Sequence, residues 1–420
     1  MPQPFFSRRD CLQFAASSMM AAAVDRIAVA EGTAGPTAKS LAAIITVYRP
    51  GSHADVLVGK ILEGWKQDGG AGPALKLASL YIDQFPNDDM ARDMSRKHGV
   101  PIFDTIEQAL TLGSDRLAVD GVISIGEHGD YPWNEKEQHL YPRRRFFEEI
   151  TGTFVKCKTV VPVFNDKHLG PTWSDARWMY QRAKELKVPF MAGSSLPLSF
   201  RSPEIDVPLG SEIESAVGVG YSGLDIYGSH ALDCYQSLVE RRPGAERGVK
   251  SVQFLAGAEV WDAVSRGVVP GNLVDAALDV VPKLEGKDPR KDERACLFLF
   301  EYVDGFQGAQ LMLDSVQRTA VALKLRDKVE PLATSFEERT EPRHPHFAYL
   351  LKAIETLMHT RRPCYPVERV LLTSGILDRA LGLRAAKKKS ANTPELAIAY
   401  DPVDYPHAPM PVLTDPPTGQ

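Results

Sequence analysis

Residues 160–193, VVPVFNDKHLGPTWSDARWMYQRAKELKVPFMAG, constrain the fold more than any other stretch, because they read as strand, charged turn, helix and second strand in unbroken succession. A strand that returns in the same direction through a helix builds a parallel sheet, and such crossovers are almost always right-handed. Open parallel sheets hold ligands at the carboxyl ends of their strands, so the turn Asp166-Lys167-His168 stands where an α/β enzyme keeps reactive groups. The competing reading is a solvated turn.

The chain before this stretch repeats the alternation. Strands are expected near 42–48, 75–83, 119–126 and 159–164, with helices near 55–67, 89–98 and 105–112, and the Gly-rich segment 69–73 reads as a loop. A doubly wound parallel sheet over about 41–200 follows. Beyond the Pro-punctuated segment 197–208 the apolar runs lengthen, at 214–227, 249–260 and 295–302, which predicts an α+β domain over 206–385 with a large, mostly antiparallel open sheet. Helical spacing returns at 230–240, 347–359 and 367–383. The charged segment 285–294 reads as a surface loop, and the Pro-rich tail 392–420 as an extended surface strap.

A chain of 420 residues, 44% apolar and 25% charged, is long enough for two domains. Its formal charge of −5 offers no basic field, so nucleic acid is not an expected partner. The five cysteines, Cys11, Cys157, Cys234, Cys296 and Cys364, form no CxxC pair and suggest neither a disulfide framework nor a zinc site. Near the start, Ser7-Arg8-Arg9-Asp10-Cys11-Leu12-Gln13 precedes an Ala-rich apolar run and Ala28-Val29-Ala30. That order resembles a twin-arginine signal peptide spanning 1–30, which implies export to the periplasm. The run is too short for a permanent membrane anchor.

Five features then fall in a fixed order: Gly51-Ser52-His53-Ala54 after the first strand, Asp83 ending the second, the segment from Ala91 to Val100, the Asp166-Lys167-His168 turn, and Gly228-Ser229-His230-Ala231-Leu232-Asp233. Together they resemble the Gfo/Idh/MocA family of glucose-fructose oxidoreductase and inositol dehydrogenase. The resemblance covers about 41–385. It implies a Rossmann-like domain binding NAD or NADP, followed by a domain whose open sheet carries the sugar-binding face and a subunit interface, so a homo-oligomer is expected.

The departures are as informative. The family's G-x-G-x-x-G turn is replaced by Tyr48-Arg49-Pro50-Gly51, and Pro50 has no N–H to offer a pyrophosphate. The expected nucleotide contacts are Tyr48, Arg49, Gly51, Ser52, His53, Asp83 and Gly126. Asp83 would accept the ribose hydroxyls and repel a 2′-phosphate, which favours NAD over NADP; its alternative is a helix cap. Lys167 matches the family's Glu-Lys-Pro lysine, with His168 in place of proline. His230 matches the family's second-domain histidine and is the expected general base, with Asp233 one helical turn on to orient it. Asp225 lies one residue away from the family's further aspartate.

The loop after the fourth strand is richer in polar and aromatic groups than a connector needs. Glu127, His128, Trp133 and Asn134 are its candidate carbohydrate contacts. Glu127, His128 and His139 match no compact metal motif, so no metal is expected. His344-Pro345-His346 reads as a cap or surface feature, and Tyr141-Pro142-Arg143-Arg144-Arg145 as a solvated helix start. Three functions remain open: an exported NAD-dependent oxidoreductase acting on a sugar, polyol or related alcohol, a redox-neutral sugar-processing enzyme that retains NAD, and a sugar-binding protein that has lost the cofactor.

Overall fold

Six parallel strands make the first sheet of the computed structural model, which describes residues 37–417. The twin-arginine-type segment lies outside the described residues. The strands are β1 (Lys39–Ile45), β2 (Leu75–Ile82), β3 (Ile102–Phe103), β4 (Gly121–Ile125), β5 (Val163–Asp166) and β6 (Phe190–Gly193), in the order β3-β2-β1-β4-β5-β6. Leu41 to Ile45 and all of β4 are buried, as expected where helices cover both faces. The strand order reverses between β1 and β4, and the crevice of such a sheet opens there, at the carboxyl edge.

Local chemistry sets the helices that flank this crevice. α1 (His53–Glu63) starts at Ser52, whose hydroxyl accepts the Asp55 N–H, and Asp55 adds a carboxylate to the first turn. α2 (Ala91–His98), α3 (Ile106–Thr111) and α4 (Arg143–Cys157) complete the crossovers up to β5. α5 (Trp173–Leu186), capped by Thr172, buries Trp173, Ala176, Met179 and Ala183, a single stripe at helical spacing.

The second sheet comprises β7 (Phe200–Ser202), β8 (Ile213–Tyr221), β9 (Val249–Ala256), β10 (Cys296–Tyr302), β11 (Gln307–Leu313), β12 (Thr319–Leu325), β13 (Leu332–Glu337) and β14 (Ser390–Asn392). Its order is β14-β9-β10-β11-β8-β12-β13-β7; β11 and β8 run parallel and the remaining neighbours antiparallel. α6 (Ile226–Val239) and α10 (Val367–Ala385) are buried along most of their lengths and share one apolar core with residues of both sheets. α7 (Ala258–Ser265) and α8 (Gly271–Asp279) pack in a separate core with the other face of the large sheet. α9 (His346–Thr360) packs with α1 in the core that holds Leu57, Val58 and Leu350.

Two long strands expected from the sequence are shorter than their apolar runs. The run 214–227 leaves the sheet at Tyr221, and Asp225 precedes α6. The run 249–260 stops at Ala256 because Gly257, at φ 59, turns the chain into α7.

Candidate active site at the carboxyl edge of the parallel sheet

The charged turn after β5 is buried, and each of its three side chains has a polar partner. Lys167 sits at φ 62, an uncommon conformation for a residue with a side chain, and its N–H reaches the Gly193 carbonyl at 3.1 Å. That geometry sends Lys167 Nζ to Glu127 Oε1 at 2.9 Å, while Arg143 donates to Glu127 Oε2 at 2.5 Å. Burial alone would raise the Glu127 carboxyl, but Lys167 and Arg143 hold it well below the usual carboxylate range. His168 donates from Nδ1 to the Gly170 carbonyl at 2.9 Å and faces Arg143 with Nε2 at 3.3 Å. Burial and the Arg143 charge push its imidazole down to about 3, so it is neutral at pH 7.

Beside this ion centre lies a cavity of about 230 Å³ whose walls include His53, His128, His230, His344, His346 and Phe347. His53 opens α1, and its Nδ1–H donates to Asp166 at 2.6 Å while the ring meets Phe347 edge-on at 4.9 Å. His128 stands at φ 66, burial and His53 lower it to about 4, and its Nε2 is enclosed with no partner among the described residues. His230, on α6, binds Ser194 Oγ through Nδ1 at 2.5 Å, which leaves Nε2 for the cavity. Burial and Lys167 hold His230 well below the ordinary histidine value. His346 is lowered to about 3 by burial and by His344. Five imidazoles, Glu338 and Thr340 thus line the cavity beside Phe347, Val56 and Leu196, and the imidazoles of His128, His230, His344 and His346 are held below the ordinary histidine value.

Two carboxyls deviate the other way. Burial raises Asp225 to about 6; one oxygen accepts the His139 N–H at 2.9 Å and the other has no partner among the described residues. Burial also raises Asp233 to about 6 against the opposing Arg369 charge.

The edge where β1 and β2 end is filled by the chain itself. Gly51 N–H donates to Asp55 at 2.9 Å, Arg49 N–H to Ser52 Oγ at 3.2 Å, and Pro50 has none. Both Asp83 oxygens are occupied, one by Tyr81 at 2.6 Å and Arg145 at 2.5 Å, the other by Tyr131 at 2.6 Å. Although burial would raise the Asp83 carboxyl, these donors lower it. Gln84 and Asp130 exchange two further bonds, at 2.8 and 2.9 Å, closing the loop after β4 over the strand ends. Asp83, the group expected to meet a ribose, is thus hydrogen-bonded within the chain, and a dinucleotide would reach it only after Tyr131 and Arg145 release it.

The structure gathers Gly51, His53, His128 and His230 around one cavity, with Lys167 and Asp233 buried behind it. It moves other expected residues elsewhere. Asp233 does not orient the imidazole directly; it accepts the Ser194 N–H at 2.9 Å, and Ser194 binds His230. Tyr48 points into the core rather than toward a ligand, its hydroxyl unpartnered among the described residues. Ser52 is a buried helix cap. A Cβ on Gly126 would meet Arg143 Cγ at 2.7 Å, so this glycine makes room for the ion centre. Glu127 is spent as the counter-ion of that centre. Trp133 is 56% exposed and stacks on His139, and Asn134 closes its own turn through Lys136 and Gln138. Conversely Arg143 is buried rather than solvated, and His344 and His346 line the cavity rather than the surface. Arg143 has no local signal in the sequence; for Ser194 the signal is a Gly-Ser-Ser turn at a strand's carboxyl end, the same position that marks Lys167.

No protein-family model and no curated protein sequence matches the chain. Solved structures do match its fold. The structure of GenD2 from gentamicin A biosynthesis in complex with NAD is 11% identical, with a TM-score of 0.54 over 85% of this chain and 96% of that one. A putative myo-inositol dehydrogenase from Sinorhizobium meliloti is 13% identical, at 0.52 over 84% and 99%. An apo scyllo-inositol dehydrogenase from Lactobacillus casei is 9% identical, at 0.53 over 85% and 98%. At such identities the likeness establishes the shared fold, a Rossmann-like parallel sheet joined to a mostly antiparallel eight-stranded sheet, and function must come from the site.

Proposed function

We propose that this protein is an oxidoreductase of the nicotinamide-dependent dehydrogenase type, acting on a small, neutral, polyhydroxylated alcohol. The observation that carries the reading is a neutral His230 facing a cavity at the carboxyl edge of a sheet shared with NAD-bound GenD2. A cavity of about 230 Å³ lined by five histidines, Glu338, Thr340 and Phe347 offers hydrogen-bonding groups to a compact polyol, whose hydroxyls both donate and accept. When bound, NAD supplies the hydride acceptor.

The chain's own residues have definable tasks. His230 Nε2 takes the substrate hydroxyl proton, since a base must be unprotonated at working pH and its Nδ1 is already fixed by Ser194. Lys167, anchored by Glu127, supplies positive potential to the substrate oxygen as charge develops on it. Asp166 fixes the orientation of His53 at the mouth of α1. Were NAD to bind, Asp83, once released by Tyr131 and Arg145, would accept the ribose hydroxyls and would disfavour a 2′-phosphate.

The test uses the mature protein. Denatured samples are assayed for released nicotinamide nucleotide, NAD is titrated calorimetrically into wild type and Tyr131→Phe, and NAD reduction is followed with a panel of inositols and monosaccharides. Binding with reduction of NAD by at least one polyol supports the reading. Absence of nucleotide and of NAD binding in both proteins overturns it and leaves a cofactor-free sugar-binding protein. Fractionation of the tagged full-length chain tests the proposed export to the periplasm.

A further inference from the structure

Arg201 stands in β7, an edge strand of the large sheet, and lines a second cavity of about 600 Å³ between residues 204–208 and the C-terminal strap. Its guanidinium lies 5.6 Å from the Phe336 ring centroid. Among the described residues its Nε is enclosed without a partner, and no carboxylate lies within ion-pairing distance of the group. Burial lowers the guanidinium to about 10, so it is charged at pH 7. Arg201 is half-buried, its charge has no counter-ion, and its enclosed Nε is an orphaned donor that calls for a partner.

Of the neighbouring charges, Arg241, Asp404, His407 and Glu204 are already committed. Arg241 donates to the Val207 carbonyl and to Asp404, and His407 pairs with Glu204 at 2.6 Å. With His407 neutral, two arginines face Glu204, Asp206 and Asp404, a local balance of −1 that opposes dianions. The remaining wall is apolar, with Pro406, Pro409 and Met410, the last 52% exposed. Free donor capacity therefore sits at one fork, beside a greasy wall, in a space of small-molecule size.

We propose that Arg201 anchors a second ligand site, which takes a small organic monocarboxylate: the carboxylate sits on the guanidinium fork and the apolar body lies against Pro406, Pro409 and Met410. The site is independent of the dehydrogenase reading, since none of these residues lines the histidine cavity.

Full-length protein is titrated with benzoate, acetate and inorganic phosphate at constant ionic strength, by calorimetry and thermal shift. Benzoate is expected to bind saturably at one site, acetate more weakly, phosphate most weakly. Arg201→Met should weaken benzoate about tenfold to a hundredfold, the worth of a charge-assisted pair. If that variant does not fold, Arg201→Lys, which keeps the charge and loses the fork, should weaken it about tenfold. Glu204→Gln should tighten it by removing a nearby negative charge. Non-saturable binding, meaning an adventitious ion only, overturns the proposal. So does phosphate binding above benzoate, or benzoate affinity unchanged in the Arg201 variants.

Discussion

The two ends of the carboxyl edge of the parallel sheet are treated oppositely by this chain. At the β1–β2 end, Asp83 is enclosed by Tyr81, Tyr131 and Arg145, so the polar groups of a nucleotide site are spent on one another. Around the turn after β5 the charges are also paired, but behind the cavity, and the histidines in front of them, His53 of α1 among them, are left facing it. Pairing at the surface closes a site, whereas pairing behind it builds a floor under one. The same fold thus carries a sealed half and a furnished half, and only the furnished half offers groups whose next partner must come from outside.

The largest effect should come from the furnished half. His230→Ala is expected to reduce kcat for NAD reduction by about 10²–10⁴-fold, the usual worth of a positioned acid or base, with the fold intact by circular dichroism. A loss below tenfold would move the proton acceptor elsewhere, with Asp225 the next group to examine.

Glu127→Gln probes the floor. Removing this carboxylate leaves Lys167 and Arg143 buried without a counter-charge, which should cost about 3–5 kcal/mol in denaturant-monitored stability. Asp83→Asn, at the other end, removes a partner of the half-exposed Arg145 and should cost at most about 1 kcal/mol through that pair. Equal losses would mean that the sealed half is also a structural keystone, and the contrast between the two ends would fail.

The two halves also differed in legibility. Leu41 to Ile45 of β1, all of β4 and Val163-Phe164 of β5 are buried and almost wholly apolar, so the parallel sheet and its carboxyl-edge turns are readable from periodicity. His53 and Lys167 are singled out by their places at that edge, after β1 and after β5, whereas His230, inside α6, is reached only through the family resemblance. Trp133 and Asn134 were misplaced, since a polar aromatic loop looks alike whether it faces a ligand or folds on itself. Glu127 and Arg143 are 16 residues apart and meet only because Gly126 lets the α4 side chain in, a long-range packing fact with no local signature. Arg145 and Asp83, 62 residues apart, are likewise joined by tertiary structure alone.

The histidine wall predicts how stability depends on pH. His128, His168 and His346 are lowered to about 4, 3 and 3, so the unfolded chain binds protons below about 6.5 that the folded chain refuses. Their contribution is complete above that value and is lost as pH falls. Asp225 and Asp233, raised to about 6, act in the opposite sense, gaining stability on acidification between about 6 and 4. Three histidines with larger shifts outweigh two carboxyls, so the melting temperature should fall from pH 7 to pH 5. A flat or rising profile would mean that the imidazoles are already charged, and the cavity would no longer suit a neutral polyol.

The finest test opens the sealed half. Tyr131→Phe deletes one hydroxyl that donates to Asp83 at 2.6 Å while leaving the ring, and with it the packing against Tyr141, in place. If NAD must displace this bond to reach Asp83, its loss lowers the cost of opening, and NAD should bind the variant about three- to tenfold more tightly, the net worth of a single hydrogen bond of about 1 kcal/mol. Substrate KM at saturating NAD should stay the same, because the hydroxyl does not line the histidine cavity. Weaker NAD binding in the variant would reverse the assignment: Tyr131 would then be a nucleotide ligand, and the bond to Asp83 part of the site rather than its seal.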